Sequence, residues 1–162
     1  MKNIFPKAVD PPKPLKKYGP WLGIVASAIS ACMALVHLFR IDTLVPIVDK
    51  AVPGGVNQAA FLVVFVVIAE VFALPFLLRM KLSPLAHLMS GTLVVFGPLV
   101  WLLVSIWSFG TDISTGQMGE FVHVASTPTL VFVNSLWVAF AFLVLWALGY
   151  NRLKTKVFNK NS

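Results

Sequence analysis

The sequence predicts an all-α polytopic membrane protein, a four-transmembrane-helix bundle with both termini in the cytoplasm. Hydrophobic residues make up 58% of the 162 residues and charged residues only 12%, whereas a soluble domain averages about 25% charged residues. Crossing about 30 Å of hydrocarbon takes roughly 20 apolar helical residues, and four stretches meet that length. They cover residues 21–39, 61–78, 85–107 and 128–148. This composition excludes a nucleic-acid-binding module, and the single cysteine, Cys32, excludes an intrachain disulfide.

The spans divide the chain into three parts. A Pro- and Lys-rich arm, residues 1–20, precedes a transmembrane domain over residues 21–150, and a basic tail follows over residues 151–162. Eleven of the thirteen Lys and Arg residues fall in the arm, in the tail or between the second and third spans. The positive-inside rule therefore predicts that both termini lie on the cytoplasmic side of the plasma membrane. The arm is expected to be extended, and residues 41–52 are expected to form an amphipathic loop.

Each span carries one stripe of small or polar residues at helical spacing, which is typical of contacts between transmembrane helices. The stripes predict helix-packing roles for Gly23, Ser27 and Ser30 on the first span and for Asn134 on the fourth. Cys32 is expected to be a small buried residue of the first span. Contacts between the helices should therefore leave the large apolar residues for the lipid.

Glu70 is the most informative residue, because an acid at the centre of a span costs about 2.5–3.5 kcal/mol on insertion scales. It is either a proton or ligand site, or a protonated side chain that hydrogen-bonds Ser30 or Thr92 as part of the packing. His37 has the chemistry to bind a quinone oxygen, relay a proton or ligate haem, or it simply bonds a carbonyl. At about 1.5 Å of rise per residue, His37 and Glu70 lie roughly 10 Å apart along the membrane normal. No direct contact between them is predicted.

Other cofactors and catalytic motifs find little support in the sequence. Haem is not expected, because the remaining histidine of the spans, His87, falls near the opposite boundary of the membrane. Asp112, Glu120 and His123 of the last loop match no metal-ligand spacing, so no metal site is predicted. No phosphate-binding loop, dinucleotide fingerprint or nucleophile elbow occurs. The sequence therefore assigns no catalytic residue.

A family resemblance covers about residues 21–107. It rests on Leu35-Val36-His37-Leu38-Phe39, on the segment 41–52 followed by Pro53-Gly54, on the central acid Glu70 and on Arg79 before the third span. This arrangement resembles the DoxX/MauE-like four-helix membrane proteins. The resemblance implies a small integral subunit or assembly factor of quinone-linked or thiol/sulfur redox chemistry. It also implies that His37, Glu70 and Arg79 line the bundle or its mouth.

The sequence and this resemblance together predict an accessory subunit of a larger membrane complex, linked to quinone redox chemistry and not catalytic alone. Its partners would be the lipid bilayer and other membrane subunits, with a homo-oligomer also open and no nucleic acid. His37 and Glu70 are the predicted cofactor-binding residues, for a quinone or a lipid that is not covalently bound. One alternative is a homo-oligomeric proton-coupled transporter that uses Glu70, with hinges at Pro75 and Pro98. Another is a purely structural subunit.

Overall fold

The computed structural model describes residues 8–108 and 127–150. Its helices are α1 (Gly19–Phe39), α2 (Ile41–Ala51), α3 (Val56–Leu77), α4 (Pro84–Trp107) and α5 (Thr127–Ala147). All except α2 are long and apolar enough to cross a membrane. The chain is therefore a polytopic membrane protein built on a four-helix transmembrane bundle, which confirms the predicted all-α four-helix architecture. The largest boundary difference is at α3, which begins at Val56 rather than at residue 61.

The transmembrane helices pack in the order α1, α3, α4 and α5, and α5 returns to α1. We call the end of the bundle where α1 begins the arm end, and the opposite end the α2 end. Gly19 of α1 approaches the carbonyl of Ala147 at the arm end, and Gly23 approaches the carbonyl of Leu77. Small residues therefore let the backbones of α1, α3 and α5 come close together there.

The prediction of a loop over residues 41–52 is wrong, because this segment forms the amphipathic helix α2. Leu44 and Val48, one helical turn apart, are both buried and pack with Ala59 and Val63 of α3. Pro46 lies inside α2 but on its exposed side, where it removes one backbone hydrogen bond and does not disturb the packed face. The helix covers the part of α3 that lies nearest the α2 end.

A side chain from α4 enters the backbone of α3 next to Pro75. The hydroxyl of Ser90 donates to the Phe72 carbonyl at 2.7 Å and accepts from the Phe76 N–H at 3.1 Å. These two backbone groups are four residues apart, in the turn of α3 that contains Pro75. The hydroxyl of Ser90 bridges them inside an apolar environment.

Replacing Ser90 by alanine is expected to destabilise the bundle by about 1–3 kcal/mol, because the Phe72 carbonyl and the Phe76 N–H lose a buried partner. Thermal unfolding in mild detergent measures this change. The matched control is Ser135→Ala on α5, whose exposed hydroxyl bonds only to its own helix. The control should change stability by less than about 0.5 kcal/mol, and equal losses in the two variants would contradict the role of Ser90.

The described part of the N-terminal arm lies across the arm end of the bundle. The Val9 N–H donates to the Leu82 carbonyl at 2.9 Å, and the Leu15 N–H donates to the Ala147 carbonyl at 2.9 Å. The arm thereby connects the segment before α4 with the last residue of α5. These backbone hydrogen bonds make the arm part of the folded domain.

An exposed ion pair accompanies these backbone bonds. The Lys81 ammonium lies 2.9 Å from a carboxylate oxygen of Asp10. This hydrogen bond, together with the charge of Lys81, lowers the pKa of Asp10 below its ordinary value. Because both side chains are fully exposed to water, the pair should contribute little to stability and weaken further as salt is added. The backbone hydrogen bonds of the arm are therefore its main attachment.

Candidate functional site

His37 and Glu70 form a direct hydrogen-bonded pair inside the bundle. His37 Nδ1 lies 3.0 Å from Glu70 Oε2. His37 is 0% exposed and Glu70 is 7% exposed. The prediction that these residues are separated along the membrane normal and make no direct contact is therefore wrong.

The direction of the side chains explains the contact. Helices α1 and α3 are antiparallel, and each Cα–Cβ bond tilts toward the N-terminus of its own helix. His37 therefore leans toward the arm end, while Glu70 leans toward the α2 end. On neighbouring antiparallel helices these two directions converge and close the gap that the backbone rise alone would leave.

Helix α4 completes the surroundings of the pair with Trp101 and Gly97. The rings of His37 and Trp101 lie with centroids 4.9 Å apart and tilted by 37°. A Cβ at Gly97 would stand 3.4 Å from Glu70 Cγ, so the missing side chain leaves room for the carboxyl. Neither residue was predicted from the sequence to belong to the site. The available signal was their four-residue spacing, which puts both on one face of α4.

Helix α5 joins the same group through Asn134. Its amide nitrogen donates to Ser105 Oγ at 2.7 Å and to the Trp101 carbonyl at 3.4 Å. Asn134 is 2% exposed and Ser105 is fully buried. All four transmembrane helices therefore contribute to one group, which we call the polar cluster. Its members are His37, Glu70, Trp101, Ser105 and Asn134.

Two ring nitrogens of the polar cluster, His37 Nε2 and Trp101 Nε1, are buried without a hydrogen-bond partner among the residues that the structure describes. A buried polar group in that state costs about 1–3 kcal/mol, so a bound oxygen atom would be favoured beside it. The proton shared by His37 Nδ1 and Glu70 Oε2 decides whether Nε2 donates or accepts. The pair can therefore bind either a carbonyl or a hydroxyl oxygen, and it can exchange a proton with it.

The residues predicted to pack helices lie in different environments. Gly23 is buried against the Leu77 carbonyl, where a Cβ would come within 2.7 Å of that oxygen. Ser27 is buried as well, and its hydroxyl donates to a carbonyl of its own helix at 2.8 Å. Ser30 is half-buried. The close approach of α1 to α3 therefore depends on Gly23.

The interpretation that Glu70 bonds Ser30 or Thr92 is wrong, because its partner is His37. Thr92 is exposed and donates to a carbonyl of its own helix at 2.7 Å. Cys32 is also exposed on α1 rather than buried. Helical spacing alone did not separate the packed face from the neighbouring lipid-facing positions.

Arg79, which the resemblance grouped with His37 and Glu70, lies at the arm end and terminates α3. Its φ of 56° is left-handed, and the Met80 N–H donates to the Pro75 carbonyl at 2.9 Å. This is a Schellman helix end with arginine at the position that usually holds glycine. The Arg79 guanidinium donates to the Pro12 carbonyl of the arm at 3.5 Å.

The remaining histidine and the loop acids lie away from the polar cluster or outside the description. His87 is fully buried at the arm end, with Nε2 3.4 Å from the Val9 carbonyl. Asp112, Glu120 and His123 lie outside the residues that the structure describes. Among the residues that the structure describes, the site therefore consists of the polar cluster.

The fold and the polar cluster together define the class of this protein. It is a four-helix polytopic membrane protein in which antiparallel helices share a buried His–Glu pair. Comparisons with protein-family models, with curated proteins and with solved structures found no match. Functional inference therefore rests on the chemistry of the site.

Proposed function

We propose that this protein is a small integral membrane subunit whose His37–Glu70 pair takes up and releases a proton inside a larger complex of quinone-linked redox chemistry. The observation that carries the proposal is the 3.0 Å hydrogen bond between two buried ionisable side chains in an apolar bundle. Such groups are expensive in a membrane and usually functional. Structural packing alone would be served as well by apolar side chains of similar shape.

Quinone reduction is a reaction that the His37–Glu70 pair could serve, because a quinone takes up protons as well as electrons when it is reduced. His37 Nε2 would donate to the quinone oxygen, and Glu70 would return a proton to Nδ1. The electrons would come from a redox-active partner subunit. This division of labour agrees with the lack of an assigned catalytic residue in the sequence and with the implied membership of a redox complex.

An apolar groove between α3 and α4 supports a quinone or a lipid as the bound molecule. Its volume is about 520 Å³, within the range of roughly 300–1,000 Å³ that small-molecule sites occupy. Phe61, Phe65, Phe96 and Val100 are among its lining residues. Val100 precedes Trp101 on α4. The apolar tail of a quinone or lipid in the groove would therefore lie against the helix that contributes Trp101 to the polar cluster.

The proposal includes an orientation in the plasma membrane with the arm end in the cytoplasm. The positive-inside rule supports this orientation. Lys13, Lys16, Lys17 and Lys81 belong to the arm or to the segment before α4. Under this orientation the α2 end faces the outside of the cell.

The test is a comparison of quinone reduction in native membranes that carry Glu70→Gln or Asp10→Asn. Both variants replace a carboxylate by a carboxamide, but Asp10 is exposed at the arm end. General acid–base catalysis contributes about 10²–10⁴-fold, so Glu70→Gln should lower the rate by about a hundredfold or more. Asp10→Asn should leave the rate unchanged. Partner subunits and their absorption spectrum are identified in the same gently extracted fraction.

Two results would contradict the proposal. One is full quinone reduction by Glu70→Gln at normal abundance of the chain. The other is a colourless chain that migrates without any partner from native membranes.

A second function, a homo-oligomeric proton-coupled transporter, is favoured by the prolines around the pair. Pro75 follows Glu70 in α3, and Pro98 follows Gly97, the residue against Glu70 in α4. Helices opened at these points would bend next to the carboxyl. Proton-driven flux into proteoliposomes that disappears in Glu70→Gln, without any partner protein, would support this function over the first.

A further inference from the structure

We infer that the His37–Glu70 pair exchanges its proton with the water at the α2 end of the bundle only, through buried polar groups on α4 and α5. The route is formed by Trp101 and Ser105 on α4, by Ser108 directly after α4 and by Asn134 on α5. This inference rests on the proposed proton handling of the pair. It adds the side of the membrane from which the proton comes.

The geometry of α4 supplies the route. Trp101, Ser105 and Ser108 are spaced by four and three residues, so they follow one face of the helix toward its end. All three are at most 2% exposed, as is Asn134. The seven residue steps from Trp101 to Ser108 cover roughly 10 Å of rise. Buried hydroxyl and amide groups therefore extend from the pair to the α2 end.

Hydrogen bonds connect the middle of the route. Asn134 donates to Ser105 Oγ at 2.7 Å and also to the backbone carbonyl of Trp101 at 3.4 Å. Ser108, which directly follows α4, donates its hydroxyl to the Val104 carbonyl at 2.8 Å, so a water would join it to Ser105. A serine hydroxyl can both donate and accept. These groups therefore suit the reorientation that proton movement along a hydrogen-bonded chain requires.

The opposite half of the bundle has no comparable path among the described residues. A buried apolar cluster fills it with large side chains from α3, α4 and α5, including Phe76, Leu77, Val94, Val144 and Leu148. The buried serines of that half are committed to backbone groups, Ser90 to two groups of α3 and Ser27 to a carbonyl of its own helix. Proton exchange toward the arm end would have to cross this apolar layer.

The route begins at His37 Nε2 and Trp101 Nε1, the two ring nitrogens described above without a partner. A water oxygen bound there accepts from the indole N–H and exchanges a proton with Nε2. When Nε2 gains a proton, Nδ1 keeps its own proton, and the resulting imidazolium is held by its hydrogen bond to the Glu70 carboxylate. The pair then holds one more proton and the water at the α2 end holds one fewer, and the reverse sequence releases it.

Within the part of the chain that the structure describes, no other ionisable side chain forms an ion pair or a hydrogen bond with His37 or Glu70. Arg40 follows α1, and Asp42, Asp49 and Lys50 belong to α2. None of them forms an ion pair or a hydrogen bond with His37 or Glu70. His87, the ionisable residue of α4, lies at the arm end, and the described part of α5 has none. A titration observed at the polar cluster therefore reports the pair itself.

The experiment uses the full chain in proteoliposomes, with orientation scored by protease access to a terminal tag. A protonated imidazole quenches an indole that it contacts, so Trp101 fluorescence reports the charge of His37. Subtracting the signal of Trp101→Phe isolates Trp101 from the other four tryptophans. The pH is changed on one side at a time with impermeant buffers. The fluorescence is expected to follow the pH at the α2 end at least tenfold faster than the pH at the arm end.

Two variants test the route and one serves as the control. Ser105→Ala and Asn134→Leu should each slow the response by about tenfold, with the fold checked by thermal unfolding. Ser135→Ala changes an exposed residue adjacent to Asn134 and should leave the rate unchanged.

The outcomes separate this inference from the proposed function. A response from the arm end that is as fast as the response from the α2 end overturns the route, while the proton role of the pair stands. Unchanged rates in both route variants overturn it as well. Fluorescence that ignores pH on both sides between about pH 4 and pH 9 overturns the route and the proton role together.

Discussion

His37→Phe is expected to destabilise the bundle by about 3 kcal/mol, because it leaves the Glu70 carboxyl buried without its partner. Glu70→Leu should destabilise it by about 1–3 kcal/mol, because His37 Nδ1 then has no acceptor or donor. The double variant should come within about 1 kcal/mol of the native protein, since phenylalanine and leucine fill similar space without buried polar atoms. Unfolding in mild detergent gives all three free energies.

Strict additivity of the two single changes would contradict a coupled pair. Glu70→Gln is the companion variant, because its amide retains a hydrogen bond to His37 and should be destabilised less than Glu70→Leu. A double variant that folds well but no longer exchanges protons would show that the pair is retained for its chemistry and not for stability. That result would also connect the stability measurement to the fluorescence experiment.

Gly23→Leu is expected to cause a large loss of stability, because it forces a bulky side chain against the backbone of α3. Even a Cβ at Gly23 would come within 2.7 Å of the Leu77 carbonyl, which is a backbone atom and cannot rotate away. Overpacking costs about 1–3 kcal/mol per site and sometimes more, and here α1 and α3 would have to separate. Thermal unfolding should show a large fall for Gly23→Leu. The control, Ala28→Leu on the exposed side of α1, should leave the unfolding temperature nearly unchanged.

Gly91 provides the comparison that isolates the cause. A Cβ there would come within 2.4 Å of the Tyr150 ring, which is a side chain. Since a side chain can change its rotamer while a helix backbone cannot, Gly91→Ala should be tolerated better than Gly23→Ala. The reverse order of stabilities would show that backbone contact at Gly23 is not the cause.

The transmembrane helices could be predicted because the bilayer requires long apolar segments with internally satisfied backbones. Helical spacing also identifies the packed face of α3. Ala59, Val63, Val66, Glu70 and Ala73 are three or four residues apart, and all of them are buried. Helix α2 could have been predicted from the four-residue spacing of Leu44 and Val48, which places both on one face of a helix.

The site was predicted only in part. His37 and Glu70 could be singled out because ionisable groups are rare in spans. Their contact could not, since a count of backbone rise ignores the opposite side-chain directions of antiparallel helices. Trp101 was missed for another reason. A tryptophan in an apolar helix has no distinguishing pattern until the histidine that it contacts is located on another helix.

The arm also has a consequence for how the chain is assembled. Leu15 precedes α1, yet its hydrogen-bond acceptor is Ala147, the last residue of α5. During synthesis the arm is therefore made well before its acceptor exists, and this contact spans almost the whole domain in sequence. Contacts of such long sequence separation form late and slowly. Closure of the arm end would then be the final step of biogenesis, and the bundle would stay open at that end until α5 has been inserted.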